Sequence, residues 1–257
     1  MNTDELSRLA KMISDLANSN LDQLKGKCQN KDDIQDYYLG ILQRQAILLS
    51  DLAALLKNRN SKYISTPYIL LRSLLDDFLH LVYFHLCKER DSEIIKVNAV
   101  AYKQSFVSLK NLTDSNYENF EGEYPFYLKK EEVEELKKTF VSKPENQKYF
   151  QHPSRFKFKE FMTFNALVHR ITHSRETKIY RDRAYYLWQE FSSFVHYSTY
   201  SFKMEMQDTP ENMNIIDESF QYCYNSVFLS FQYFVSELDL KFIDNEILNK
   251  RYGLILS

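Results

Sequence analysis

Glycine is scarce in this chain of 257 residues: there are four, at Gly26, Gly40, Gly122 and Gly253. Average usage would give roughly 18 in that length. Tight hairpins and phosphate-cradling loops depend on glycine, because positive φ is cheap only without a Cβ. The shortage argues against a β-rich fold. Neither G-x-G-x-x-G nor G-x-x-x-x-G-K-[ST] occurs, so a glycine-rich nucleotide loop is excluded. Cysteine is equally sparse. Cys28, Cys87 and Cys223 are far apart and form no C-x-x-C pair. An odd, scattered set of this kind reads as reduced thiols, not as a disulfide frame or a zinc site. An excess of one charge is missing too. The formal net charge is −2, which opposes a broad nucleic-acid surface but leaves room for a small basic patch. The first residues, Met1-Asn2-Thr3-Asp4-Glu5, lack the basic and apolar regions of a secretory signal. No apolar run approaches the ~18 residues of a membrane span. The expectation is a cytoplasmic protein that does not enter a membrane.

Aromatic residues are abundant instead: 19 Tyr and 19 Phe against a single Trp. Tyrosine brings apolar area together with a hydroxyl that needs a partner when buried, so polar contacts are expected inside the core. Between the prolines the apolar residues recur with helical spacing. This periodicity predicts helices over about 3–20, 32–58, Pro67 to about Lys88, 91–111, 155–173, 176–204 and 215–239, the last running on towards 250. The fold class is all-α, a single domain over 1–257 built as a bundle of about seven helices. Residues 112–153 are rich in Asn, Asp, Ser, Gly and Pro. They read as a surface excursion carrying one charged helix over 130–141, whose mixed Lys and Glu residues form a solvated face with i, i+4 pairs.

Two of these helices carry polar stripes. At 100° per residue, Leu70, Leu71, Leu74, Leu75, Phe78, Leu79, Leu81, Val82 and Leu86 fill one arc of the third helix. Arg72, Ser73, Asp76, Asp77, His80 and Tyr83 fill the other. Arg72, Asp76 and His80 stand at i, i+4 and i+8. Solvated faces usually hold Lys, Glu and Gln, and this arc has none before Lys88, which marks it as more than surface. On the helix over 176–204, Tyr185, Gln189, Ser192 and His196 form a narrower polar stripe beside apolar Tyr180, Ala184, Leu187, Trp188, Phe191, Phe194 and Val195. If the two stripes meet, Arg72, Asp76, His80, Ser192 and His196 share one pocket with Tyr185. These are the candidate site residues.

The segments Arg72-Ser73-Leu74-Leu75-Asp76 and Phe191-Ser192-Ser193-Phe194-Val195-His196 resemble a family of bacterial helical proteins known only as a domain of unknown function. Its pattern reads Arg-Ser-Leu-x-Glu on one helix and Leu-Ser-x-x-Val-His near the end of a later one. Asp76 here replaces the Glu, Trp188 stands where the family often has Tyr, and Phe191 replaces Leu. The likeness spans about residues 40–205. It implies a helical fold and an Arg/acid/Ser/His constellation, with no activity attached, and suggests a place in bacterial defence or stress response. A looser resemblance is to the helical nucleotide-binding and ribonuclease superfamily of bacterial toxins and phage-defence proteins. Its nucleases place His four to six residues after Arg; here seven residues separate Arg72 from His80, and two separate Arg170 from His173.

Three function classes remain open. The leading one is a non-catalytic binding or interaction module for a protein or a small-molecule ligand, with Arg72 pairing Asp76 and tying its helix to the next. The second is a metal-independent ribonuclease acting on RNA, in which Arg72 steadies phosphorane charge and His80 or His196 moves protons. The third is a metal-binding bundle, using Asp77-x-x-His80 and the i, i+4 pair His169 and His173. The last is opposed by the missing second Glu-x-x-His and by Arg170 and Arg175, which make a basic patch of that pair. Ser192 and His196 also have hydrogen-bonding spacing, but no third group or oxyanion loop accompanies them. No cofactor is expected. Phe220, Tyr224, Phe228, Phe231 and Phe234 along the last long helix read as core, or as the seam of a homodimer through that helix.

Overall fold

The computed structural model describes residues 2–28, 32–58, 65–125, 127–195 and 209–256. The protein is all-α apart from one two-stranded hairpin. Nine α-helices stand among the described residues, more than the seven expected. The chain divides into two compact units, one formed by residues 1–88 with 164–257 and the other by 89–163. The mid-chain boundary therefore falls near residue 89, ahead of the expected 112.

The first unit opens with a helical hairpin, α1 (Thr3–Leu24) and α2 (Asp33–Lys57). Asn2 caps α1 by accepting from the Glu5 amide at 2.9 Å, and Asp32 caps α2 by accepting from Ile34 N at 2.8 Å. Each side-chain oxygen satisfies an amide that the helix start leaves without a partner. Ser7, Ala10, Ser14 and Ala17 form a buried stripe of small residues on α1. Ser7 Oγ donates to Ala53 O and Ser14 Oγ to Ala46 O, both at 2.8 Å. The partner number falls by seven as the donor number rises by seven, so the helices run antiparallel in close contact.

α3 (Ser65–Leu86) follows. Pro67 lies in its first turn, where an amide has no intrahelical acceptor. Leu71, Leu74, Leu75, Phe78, Leu79, Leu81 and Val82 are all buried, as the wheel predicts. Past the second unit come α6 (Phe164–Arg170), α7 (Arg175–Ser192), α8 (Pro210–Leu238) and α9 (Glu246–Tyr252). The helix expected over 155–173 is reduced to α6. That expected over 176–204 is described as far as Ser192, with a turn over 193–195; residues 196–204 lie outside the described residues. α8 begins at Pro210, earlier than 215, because Thr209 caps it by accepting from Asn212 N. It stops at Asp239, whose φ of 49° leaves the helical region.

α8 is the axis of this unit. Every residue from Ser219 to Phe231 except Gln221 is buried, and α1, α2, α3, α7 and α9 all pack on it. A helix apolar on all sides belongs at the centre of a fold. Tyr38 stacks on Tyr233 at 4.8 Å and Phe78 packs on Tyr222 at 5.0 Å. Phe220, Tyr224, Phe228, Phe231 and Phe234 are buried within the chain's own core, so a homodimer seam on α8 would have to use other side chains. Polar ties hold the C-terminal end: Arg251 pairs with Asp217 at 3.0 Å, Tyr252 Oη donates to Asp217 at 2.7 Å, and Asn225 binds Gly253 O and Ile255 N. One described helix, α2, is long and apolar enough to cross a membrane by length and composition, which corrects the reading that no segment comes close. Its apolar face is spent on α1 and α8, and a core helix passes the same test.

In the second unit, α4 (Arg90–Phe120) runs nine residues past its expected end. The Asn-, Asp- and Ser-rich stretch stays helical because its side chains hold the following loop. Thr113 Oγ1 donates to Leu128 O at 3.1 Å, and Asn116 accepts from Tyr124 N at 3.0 Å. Glu121 and Gly122, with φ of 55° and 83°, end the helix. Next come α5 (Lys130–Ser142), a 3₁₀ turn over Pro144–Tyr149, and an antiparallel hairpin of β1 (Phe150–His152) and β2 (Lys157–Phe158). Phe150 and Phe158 meet at 4.5 Å and pack with Ala99 and Tyr149 as the core of this unit, flanked by Phe106, Phe140 and Phe156.

Candidate functional site

The two polar stripes meet at one point. Arg72 of α3 donates through Nε to Ser192 Oγ at the end of α7, 3.2 Å away. Its guanidinium carbon lies 4.9 Å from the ring centre of Trp188, a distance at which a cation is attracted by the ring's electron-rich face. Ser192 Oγ in turn donates to Trp188 O at 2.7 Å, the i−4 bond that serine often makes within a helix. Trp188 also packs on Phe164 of α6 at 4.5 Å and stacks with Tyr185 at 5.8 Å. The sequence reading placed Trp188 on the apolar stripe. It lies instead on the polar side, half-buried, and joins Arg72 to α6.

His80 lies two turns along α3 from Arg72. Its Nδ1 donates to the carbonyl oxygen of Asp76 at 2.9 Å, with the Asp76 carboxylate 3.6 Å away. The imidazole faces Phe164 at 5.4 Å. Arg72, Asp76, His80, Ser192 and Tyr185 thus border one half-buried strip with Trp188 and Phe164 between them. Tyr185 Oη reaches Asn165 at 3.1 Å. His196 lies outside the described residues. Among the described residues Arg72 bonds Ser192 in place of the expected Asp76. A groove of about 590 Å³ between α1 and α2, bordered by Asp4, Arg8, Lys11, Met12, Ser50 and Lys57, contains none of the five candidate residues.

A second polar centre escaped the sequence reading. Asp77, one residue from Asp76, turns the other way and is buried at 3% exposure. Arg44 of α2 grips it with two bonds, Nε to Oδ2 at 3.1 Å and Nη2 to Oδ1. Burial raises the Asp77 carboxyl, Arg44 pulls it down, and burial wins: it titrates at about 7 instead of 3.8. Tyr37 and Cys223 sit within the field of this carboxyl. Burial first and then Asp77 push the Tyr37 hydroxyl well up, and the same two causes raise the Cys223 thiol. The signal was present in the sequence. From Tyr37 to Ser50, Arg44 is the only charged residue, which singles it out as the partner α2 can offer to an acid buried nearby.

Asp77 faces Arg44 while His80 faces Phe164, so Asp77-x-x-His80 does not converge. His169 and His173 are both exposed. Among the described residues no group of three or more His, Cys, Asp or Glu is placed to share a metal ion. No protein-family model, no curated protein and no solved structure matches the chain.

Proposed function

We propose that the protein is a non-catalytic helical interaction module for a protein or small-molecule partner. On the resemblance of its two motifs, it serves bacterial defence or stress response. The observation that supports this reading is the way Ser192 ties Arg72 of α3 to Trp188 of α7. The Ser192 hydroxyl donates to Trp188 O and accepts from Arg72. Its proton is already spent on that carbonyl. The guanidinium carbon lies 4.9 Å from the centre of the indole ring. Such a set behaves as a clamp that fixes α7 against α3.

The second reading, a metal-independent ribonuclease, draws on Arg72 and His80 bordering the same strip. Against it stands their separation. Eight residues of helix rise about 12 Å, too far for both side chains to act on one phosphate with short bonds unless His196 supplies the proton transfer. The two readings separate in one experiment. Full-length protein is incubated with mixed RNA, with and without EDTA, beside Arg72→Ala, His80→Ala and His196→Ala. The module reading expects intact RNA in every tube. Cleavage by the wild type that persists in EDTA and disappears in His196→Ala would overturn it.

A further inference from the structure

The hairpin of the second unit carries a charge pattern that its fold does not use. From Asn146 to Lys159 there is no acidic residue, while Lys148, Arg155, Lys157 and Lys159 alternate with Tyr149, Phe150, Phe156 and Phe158. The pleat sorts them. Phe150 and Phe158 turn inward, and Lys157, paired across the strands with His152, turns outward with it. Lys159 is two residues on and falls on the same face. Arg155 is exposed at the tip. Arg155, Lys157 and Lys159 make no ion pair among the described residues. Tyr102 of α4, 38% exposed, packs on Tyr149 at 4.8 Å and on Phe140 at 4.9 Å. Tyr149 O in turn accepts from Lys159 N at 2.8 Å, so the half-open ring of Tyr102 packs on the residue that pairs with Lys159.

We infer that this face binds single-stranded nucleic acid, with Arg155, Lys157 and Lys159 on successive phosphates and Tyr102 offering a ring to an unstacked base. Phosphate contacts from a small cationic groove combined with aromatic stacking are the usual means of holding a single strand. A membrane surface is disfavoured: no large apolar side chain is exposed anywhere between Leu136 and Ile179, and interfacial segments need such side chains to enter the acyl region. The inference is independent of the α3–α7 clamp.

The test is fluorescence anisotropy of the full-length protein with labelled oligo-U and oligo-dT, beside a duplex of equal length and anionic phosphatidylserine vesicles. Three phosphates on a single strand give a log–log salt slope of about −2, so binding should weaken roughly 20-fold between about 50 and about 200 mM salt. Arg155→Gln, Lys157→Gln and Lys159→Gln together should abolish binding and the slope, with an unchanged circular dichroism melt. Lys157→Glu alone should weaken binding measurably and provides the check if the triple variant unfolds. Tyr102→Leu, which keeps the packing on Phe140, should weaken binding by about fivefold or more without altering the slope. Arg8→Gln, Lys11→Gln and Lys57→Gln on α1 and α2 should leave it untouched. No anisotropy change with either strand, equal binding by the triple variant, a duplex bound as tightly, or capture by vesicles alone would each overturn the inference.

Discussion

Burial of Asp77 ties the stability of the bundle to pH in the direction opposite to most carboxylates. In the unfolded chain the group releases its proton near 3.8, and in the folded chain near 7. Between those values the folded state binds more protons, so raising the pH favours unfolding. The stabilisation is fully present below about 3.8 and is lost as the pH rises through about 7. At ~1.4 kcal/mol per pKa unit the whole effect is about 4 kcal/mol, of which about 2–3 kcal/mol falls between roughly pH 5 and pH 8. Asp77→Asn removes the titration and keeps an oxygen to accept from Arg44. Urea unfolding of wild type and variant, followed by circular dichroism across that range, should show nearly equal stability at the acid end. The wild type should then fall behind by about 2–3 kcal/mol at the alkaline end. Comparing the two chains cancels the histidines, which titrate in both. Parallel curves for the two proteins would show that Asp77 is charged throughout and that Arg44 outweighs the cost of burial.

Three further outcomes follow from the same contacts. Arg44→Met should destabilise more at about pH 8 than at about pH 5, where Asp77 is already neutral. Because the Arg44 side chain is half exposed, the loss should stay below the ~3–5 kcal/mol of breaking a fully buried pair; a cost independent of pH in urea titrations would contradict this. Arg72→Ala should cost about 1–3 kcal/mol from one hydrogen bond and one cation–ring contact, and nearer the low end because Ser192 keeps its bond to Trp188. Arg72→Lys should recover only part of it in a thermal melt, since an ammonium has no planar face to stack on a ring. Gln45 is fully buried on α2, and neither its amide oxygen nor its amide nitrogen meets a partner among the described residues. Gln45→Met should therefore stabilise the bundle by about 1–3 kcal/mol in urea, and a loss of stability would reveal a hydrogen bond that Gln45 makes.

What the sequence made legible, and what it hid, divides along a physical line. The apolar arc of α3, the caps of α1 and α2 and the all-helical class are local properties. They depend on spacing within one helix, on a side-chain oxygen beside the first amides, and on a scarcity of glycine. The meeting of Arg72 with Ser192 was readable only as a match between two stripe shapes, because nothing in either helix specifies its neighbour. Asp76 and Asp77 show the limit sharply. Adjacent residues on a helix point about 100° apart, so one of them had to leave the shared face. The wheel could not choose which, because the choice is made by Arg44, more than thirty residues away on α2. The β-hairpin was lost for a different reason. Arg155-Phe156-Lys157-Phe158-Lys159 alternates with a period of two, a strand signal, but it stands beside the helical run that became α6 and was absorbed into it. The alternation that marks the strand is also what sorts the aromatic rings inward and leaves the cations outside. The segment misread as helix is thus the one whose charges the fold leaves uncompensated. Had residues 155–159 been helical, Arg155 and Lys159 would lie about 40° apart while Lys157 pointed to the opposite side, and the three cations would not share one face.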